Sequence, residues 1–272
     1  MWEEYEPERP YRRKRRHKKG RFLRRCFGLF LIILVILTGM RVKDRLAGSS
    51  GFTTAIFTNG KVREILMNRE QYPDDLIDLV QGNEEAADFV LDYPEKKDLP
   101  PAETIGDVTA GDIPLLLQWD ERWGYCLYGD KMIAVNGCGP TAVAMVAAGL
   151  TGDNTITPYR VAQFAAENGY YAGDAGTSWT LMTEGSRQFG ICGEEMGLSE
   201  SEVLSELEAG HPIICSMRPG DFTTTGHFIV LTRVEDGKIR VNDPNSRRRS
   251  EKLWDYERLE YQINNLWVYT LN

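Results

Sequence analysis

Residues 26–40 (CFGLFLIILVILTGM) carry no charged side chain and are dominated by Leu, Ile, Phe and Val. A run of this kind divides the chain into two compartments of opposite charge. Residues 1–25 hold 11 Lys/Arg against 4 Asp/Glu, a charge of +7, and the remaining chain holds 21 against 36, a charge of −15, within a net charge of −8. As a helix the run is about 22 Å long, against a hydrocarbon core of about 30 Å. Phe22, Leu23 and Val42 extend it once Arg24 and Arg25 snorkel toward the headgroups. The expectation is a transmembrane anchor over residues 26–42, in contact with membrane lipid, after a basic cytoplasmic tail at 1–25.

Short basic flanks stay cytoplasmic, so the N-terminus belongs inside and the acidic bulk outside the cell membrane, on a single-pass chain. Arg41, Lys43 and Arg45 weaken the bias without reversing it. A cleaved signal peptide is the competing reading, but no small-x-small cleavage site follows Leu37 and the basic region is long. The tail could also suggest a nucleic-acid partner. Orientation and attraction to anionic lipid account for its charges more simply, and no nucleic-acid binding is expected.

Residues 43–60 read as a Gly/Ser/Thr-rich spacer and 61–101 as a small helical segment. Pro73 before Asp74 and Asp75 suits a helix start, Leu76, Leu79 and Val80 recur at helical spacing, and Gly82-Asn83 ends the run. Residues 84–91 form a second short helix in this reading, with Ala87, Val90 and Leu91 on one side. Neither helix is long enough to stand alone in water. They either pack on the larger domain or make a neck. The main domain occupies residues 113–272. At 42% hydrophobic residues, with 26 Gly and 12 Pro in 272, the chain is neither collagen-like nor disordered throughout.

Asn136-Gly137-Cys138-Gly139-Pro140-Thr141 leads into AVAMVAAGL. Pro140 fits a first helical turn, and the run that follows, apolar all round, predicts a buried helix over 138–150 with Cys138 at its N-terminal end. The positive end of the helix dipole and free backbone N–H groups there favour thiolate over thiol. Gly137 and Gly139 remove side-chain bulk where a substrate backbone would approach. Such a thiol is a candidate nucleophile, and it needs a base.

The three histidines are His17 in the tail, His211 beside Pro212, and His227. His227 opens Gly226-His227-Phe228-Ile229-Val230-Leu231, the pattern of a buried strand, where an unpaired imidazole is costly. Asp236-Gly237 marks a hairpin turn, and the return strand ends at Asp243-Pro244. Both residues then lie near one end of the hairpin, where Asp243 can orient the imidazole toward a thiol. Gln118, in Leu117-Gln118-Trp119, is a side-chain amide that can join the N–H of Cys138 as an oxyanion donor.

The order Gln, Cys at a helix start, His at a strand start, then Asp is that of papain-fold cysteine peptidases. Residues 113–271 resemble, more closely, the extracytoplasmic relatives of the double-glycine leader (bacteriocin-processing) peptidases. The match is carried by Leu117-Gln118-Trp119-Asp120-Glu121-Arg122-Trp123-Gly124, Tyr128-Gly129, Gly137-Cys138-Gly139-Pro140-Thr141-Ala142, Gly226-His227-Phe228-Ile229 and Asn242-Asp243-Pro244. The segment YPDDLIDLV…FVLDYPEK resembles one that accompanies this module in Gram-positive bacteria. The resemblance implies Cys138 as nucleophile, His227 as general base, Asp243 as its orienting residue and Gln118 as oxyanion donor. The leader-processing enzymes belong to transporters with ATP-binding domains; this chain has no Walker motif, so transporter-coupled leader cleavage is not implied.

The expected fold is α+β, papain-like, with the Cys138 helix packed on an antiparallel sheet. Further helices are predicted over 158–168, 178–189 and 199–208, and strands at 212–217, in the hairpin and at 266–271. Trp179, after Gly176-Thr177-Ser178, is read as core or as lining of the substrate cleft. Cys26 lies at the membrane edge and Cys215 in a strand core; a Cys126–Cys192 bridge is permitted outside the cell, with pairing left open. No cluster has metal-ligand spacing, so neither metal nor other cofactor is expected. The run Arg247-Arg248-Arg249 reads as a solvated loop rather than an acidic-substrate site. The resulting expectation is an anchored extracellular cysteine peptidase acting on a peptide or protein. A wall-peptide amidase or transpeptidase and a peptide-binding module without turnover are the alternatives. Oligomeric state is not legible in the sequence.

Overall fold

The computed structural model describes residues 59–272. The basic tail, the apolar run and all but the last two residues of the spacer lie outside the described residues. Within them, no helix is long and apolar enough to cross a membrane.

The helical segment starts with α1 (Gly60–Met67), whose first N–H groups at Lys61 and Val62 donate to the Asn59 side chain. Helix α2 (Asp74–Gly82) follows Pro73 directly and carries Asp74 and Asp75 in its first turn, where carboxylates meet the positive dipole end. Asn83 ends α2, and its side chain accepts from the Glu85 N–H to open the next turn. A 3₁₀ turn at Glu84–Ala86 precedes α3 (Ala87–Leu91), so the helix expected over 84–91 is divided, and α4 (Tyr93–Lys96) follows. Val62, Ile65, Leu76, Val80, Phe89 and Val90 form one cluster with Leu117, Trp119, Tyr125 and Ala134. Of the two placements considered for these helices, packing on the main domain is the one adopted. Phe89 and Tyr125 stack with centroids 4.2 Å apart, and the Tyr125 hydroxyl donates to the Phe89 carbonyl at 2.8 Å.

A small hairpin of β1 (Leu127–Tyr128) and β2 (Lys131–Met132) and one turn of α5 (Ile133–Asn136) lead into α6 (Cys138–Thr151). Every residue of α6 from Gly139 to Gly149 is buried, as its uninterrupted small and apolar composition requires. Gly152, at φ 74°, ends the helix by donating its N–H to the Ala148 carbonyl, a left-handed position that glycine takes without steric cost. Helix α7 (Pro158–Glu167) packs against α6.

The helix expected over 178–189 forms only as α8 (Thr180–Thr183) and a 3₁₀ stretch, Gly185–Phe189. The Ser186 hydroxyl donates to the carbonyls of Met182 and Thr183, a side-chain bond that competes with helix continuation.

The remaining elements are β3 (Ile191–Glu195), α9 (Glu200–Glu208), β4 (Ile213–Met217), β5 (His227–Glu235), β6 (Lys238–Asn242), α10 (Arg247–Ser250), β7 (Leu253–Trp254), α11 (Tyr256–Glu260) and β8 (Ile263–Leu271). Six strands make one antiparallel sheet in the order β3-β8-β4-β5-β6-β7, so the fold is α+β. Asp236 (φ 53°) and Gly237 (φ 73°) form the two-residue turn between β5 and β6, the conformation an Asp-Gly pair favours.

Strand β4 and the first six residues of β5 are buried without alternation because both faces of the sheet are covered there. Ile214, Phe228 and Val230 join the cluster around α6. Ile213, Cys215, Ile229 and Leu231 join a second cluster with Val203 and Leu207 of α9 and Leu259 of α11. A one-residue slip would exchange the two sets, so register is strongly specified. It places Val230 opposite Asn242, and with them His227 and Asp243 at one end of the hairpin.

Candidate active site

Cys138 is the first residue of α6, and Gly137 precedes it. Gly137 and Gly139 do not open onto a cleft: a Cβ at Gly137 would lie 2.5 Å from the Ile133 carbonyl, and one at Gly139 2.5 Å from the Thr177 hydroxyl. Close packing of the turn against its own chain accounts for both glycines. Gly139 contributes through its backbone, since its N–H and that of Phe228 donate to the Cys138 sulfur.

His227 begins β5 and is 8% exposed. Its Nε2 stands 2.8 Å from Asp243 Oδ1, and its ring is hydrogen-bonded to Cys138. With Nε2 committed to the carboxylate, Nδ1 is the nitrogen left for the thiol. Asp243 is completely buried. Besides His227, its Oδ1 accepts the Asn245 N–H at 2.7 Å and its Oδ2 accepts from Arg249 Nε. Thiol, imidazole and carboxylate thus form one continuous line.

The electrostatics follow from this line. Burial pushes the Cys138 thiol up, but the His227 hydrogen bond and charge, with the two backbone N–H groups, outweigh it and leave the thiol below its ordinary value. Burial alone would push His227 down; the Asp243 charge and hydrogen bond, with the contribution of Cys138, raise it to about 10. Burial raises Asp243, and the charges and hydrogen bonds of His227 and Arg249 overcome that and lower it. All three directions favour thiolate, imidazolium and carboxylate together. The groups titrate as a coupled set.

Gln118 is buried beside this line, its backbone N–H donating to the Pro244 carbonyl at 2.8 Å. Its Nε2 donates to the Ala134 carbonyl at 2.7 Å and comes within 3.5 Å of the Val135 carbonyl, while Oε1 is buried without a partner. Cys138, Gln118, Trp179 and His227 all line one cleft of about 810 Å³. Trp179 belongs to its rim and not to the core: the residue is 45% exposed and its ring meets Trp267 edge-on at 5.5 Å.

Two sequence readings need revision. Arg247-Arg248-Arg249 is not simply a solvated run, because Arg249 bonds Asp243, Arg248 pairs with Glu85 and Arg247 lies over the Trp119 ring at 5.6 Å. Cys126 and Cys192 are free thiols, as are Cys138 and Cys215. His211 bonds Glu206 at 2.7 Å on the partly exposed end of α9, away from the cleft. Asn245 escaped the sequence reading, and Arg249 was read only as part of a solvated run; closeness to Asp243 is the signal that marks both. Among the described residues no group of three or more His, Cys, Asp or Glu is arranged to hold a metal ion.

An α+β sheet carrying a buried thiol–imidazole–carboxylate line defines a cysteine-peptidase-like chain. The chain belongs to the Peptidase_C39 like family, whose model matches residues 111–271. Among solved structures it is similar to the peptidase domain of Streptococcus ComA, a bi-functional ABC transporter involved in a quorum-sensing pathway. That likeness is at 18% identity, covers 50% of this chain and 93% of the other, and has a TM-score of 0.39. A C39-like protein of Bacillus anthracis is similar at 16% identity over 61% of this chain and 98% of its own, with a TM-score of 0.34. No curated protein matches the chain.

Proposed function

We propose that the protein is a cysteine peptidase anchored in the cell membrane by residues 26–42, with its catalytic domain outside the cell and its N-terminus in the cytoplasm. Cys138 acts as nucleophile, His227 as general acid and base, Asp243 as its orienting residue and Gln118 as oxyanion donor. The observation that carries this reading is the Cys138–His227–Asp243 constellation on one cleft, with the imidazole 2.8 Å from the carboxylate and its charge lowering the Cys138 thiol. Charge asymmetry about the apolar run supports the orientation.

The Cys138 thiolate attacks the carbonyl carbon of a peptide bond, and the carbonyl electrons move onto oxygen. The N–H of Cys138 and the Gln118 side-chain amide, once its Nε2 turns from the Ala134 carbonyl, stabilise that oxyanion. Collapse breaks the C–N bond, the His227 imidazolium gives its proton to the leaving amine, and a thioester remains. Water then attacks the thioester as His227 takes a proton from it; the C–S bond breaks and the thiolate returns. Trp179 on the cleft rim offers an apolar face to a substrate side chain.

The test compares peptides released from cells making wild-type protein with those from cells making Cys138→Ala. The reading expects specific fragments to vanish while their uncut parents accumulate. An identical peptide population, together with equal hydrolysis by both purified proteins, contradicts it. Parent peptides retained by both proteins without cleavage would instead identify a binding module.

A further inference from the structure

The family match begins at residue 111, yet the connections of Asp243 reach back to residues 83 and 85. Apart from His227, Asp243 has two side-chain partners: the Asn245 N–H on Oδ1 and Arg249 Nε on Oδ2. Each is fixed by a residue of the helical segment. Asn83 Nδ2 donates to the Asn245 carbonyl at 2.6 Å and to its Oδ1 at 3.1 Å. Glu85 binds the turn that carries Arg249: Oε1 accepts from the Ser246 hydroxyl at 2.5 Å, and Oε2 accepts the N–H groups of Arg247 and Arg248 at 2.9 and 3.2 Å. The Ser246 hydroxyl in turn accepts the Arg249 N–H at 3.1 Å.

We propose that Glu85 is a positioning residue of the peptidase site, holding from outside the family-matched domain the loop that keeps Asp243 on His227. The proposal rests on the peptidase reading above. A surface ion pair is the simpler account of Glu85, and the geometry argues against it. The Glu85 side chain is only 13% exposed, whereas its ionic partner Arg248 is 73% exposed, and a pair that wet contributes little. The weight falls on the Ser246 hydroxyl and two backbone N–H groups, all within the turn from which Arg249 reaches Asp243. A largely shielded carboxylate with three such donors has its desolvation offset by charge-assisted bonds, and removing it releases three tethers of the turn. The same chain wall shapes the cleft, since Asp78, Leu79, Gly82 and Asn83 line it together with Trp179 and Thr223.

The effect passes through Asp243 to the imidazolium, and so to how readily Cys138 exists as thiolate. It is read in the full chain by the pH dependence of Cys138 alkylation with iodoacetamide, site-resolved by mass spectrometry, with folding followed by circular dichroism. Glu85→Ala is expected to move the alkylation midpoint up by about one pH unit, making the reaction at pH 6 about tenfold slower. Glu85→Gln keeps the volume and an acceptor for Ser246, and is expected to lose about threefold. An unchanged midpoint in folded Glu85→Ala overturns the proposal, even if that variant melts earlier, because lost stability without a shifted midpoint is a merely structural role. Should Glu85→Ala fail to fold, Glu85→Gln decides: a midpoint moved toward higher pH supports the proposal and a wild-type midpoint overturns it. A wild-type protein with no enhanced alkylation at pH 6 removes the peptidase reading and this one with it. Enhanced wild-type reactivity retained in full by both folded variants removes the Glu85 role alone.

Discussion

Cys138 and Cys215 are thiols in apolar packing, one in the first turn of α6 and the other in the middle of β4. Cys215 is completely buried, with strand neighbours Ile229 and Leu266 beside it, and burial alone drives its thiol well above the ordinary value. Cys138 is only partly buried and lines the cleft; desolvation still pushes its thiol up, but His227 and two backbone N–H groups reverse the direction. What separates Cys138 from a packing thiol here is therefore not burial alone. It is the presence of a cationic partner that is itself held charged by a buried carboxylate.

The largest effect that this contrast predicts is at Cys138. Cys138→Ala should abolish peptide hydrolysis, a loss on the order of 10⁶-fold in kcat for a site of this type, measured by product release from a cleaved peptide. Activity surviving that substitution would erase the contrast. His227→Ala removes both the proton carrier and the cation, and should lower kcat by about 10²–10⁴-fold. The same variant should move Cys138 toward the behaviour of Cys215, with slower alkylation at pH 6.

Asp243→Asn should lower kcat by about 10–100-fold, the worth of one charge-assisted hydrogen bond. It should also destabilise the fold, because Arg249 loses its buried counter-charge, by about 3–5 kcal/mol. The Asp243 pKa is lowered by folding, so its stabilising effect is present above the unfolded value of about 4 and is lost as pH falls through the depressed folded value. His227 is raised to about 10. Its contribution is full below the unfolded value of about 6.5 and is lost as pH rises through the folded one. The difference in Tm between wild type and Asp243→Asn should therefore be widest between about pH 4 and 6.5 and narrow on both sides. A pH-independent difference would mean that the pair is not ionised as described.

Cys215→Ala should cost about 1–3 kcal/mol in denaturant unfolding while leaving alkylation of Cys138 and hydrolysis as in wild type. The smallest effect belongs to Trp179→Ala. Loss of an apolar contact of about 1 kcal/mol raises KM by about fivefold, with the alkylation rate unchanged because iodoacetamide does not need the rim.

The site was legible in the sequence where local chemistry is strong. Gly137-Cys138-Gly139-Pro140 marks a helix start, and the Asp236-Gly237 turn fixes which strand residues meet, so His227 and Asp243 could be paired from the hairpin alone. The sheet order was not legible, because nothing in 263–271 states that β8 inserts between β3 and β4. The edge strand β3, ICGEE, also escaped: it carries no alternation, and its pairing partner lies at the far end of the chain. The arginine run misled because charge alone reads as solvation, whereas Arg249 answers a buried carboxylate six residues away. Glu85 was equally hidden, since its partners at 246–248 are more than 160 residues distant in sequence. The flanking glycines drew a reading of substrate access; their actual cause is contact with Ile133 and Thr177.

The central claim is that the His227–Asp243 pair holds the Cys138 thiol below its ordinary value despite burial. Ultraviolet thiolate absorbance, titrated with pH in wild type and in Cys138→Ala and then subtracted, isolates that single group. The account predicts a midpoint clearly below the ordinary thiol value of about 8.5, moving upward in Asp243→Asn. A midpoint at or above that value, or one indifferent to Asp243→Asn, contradicts it.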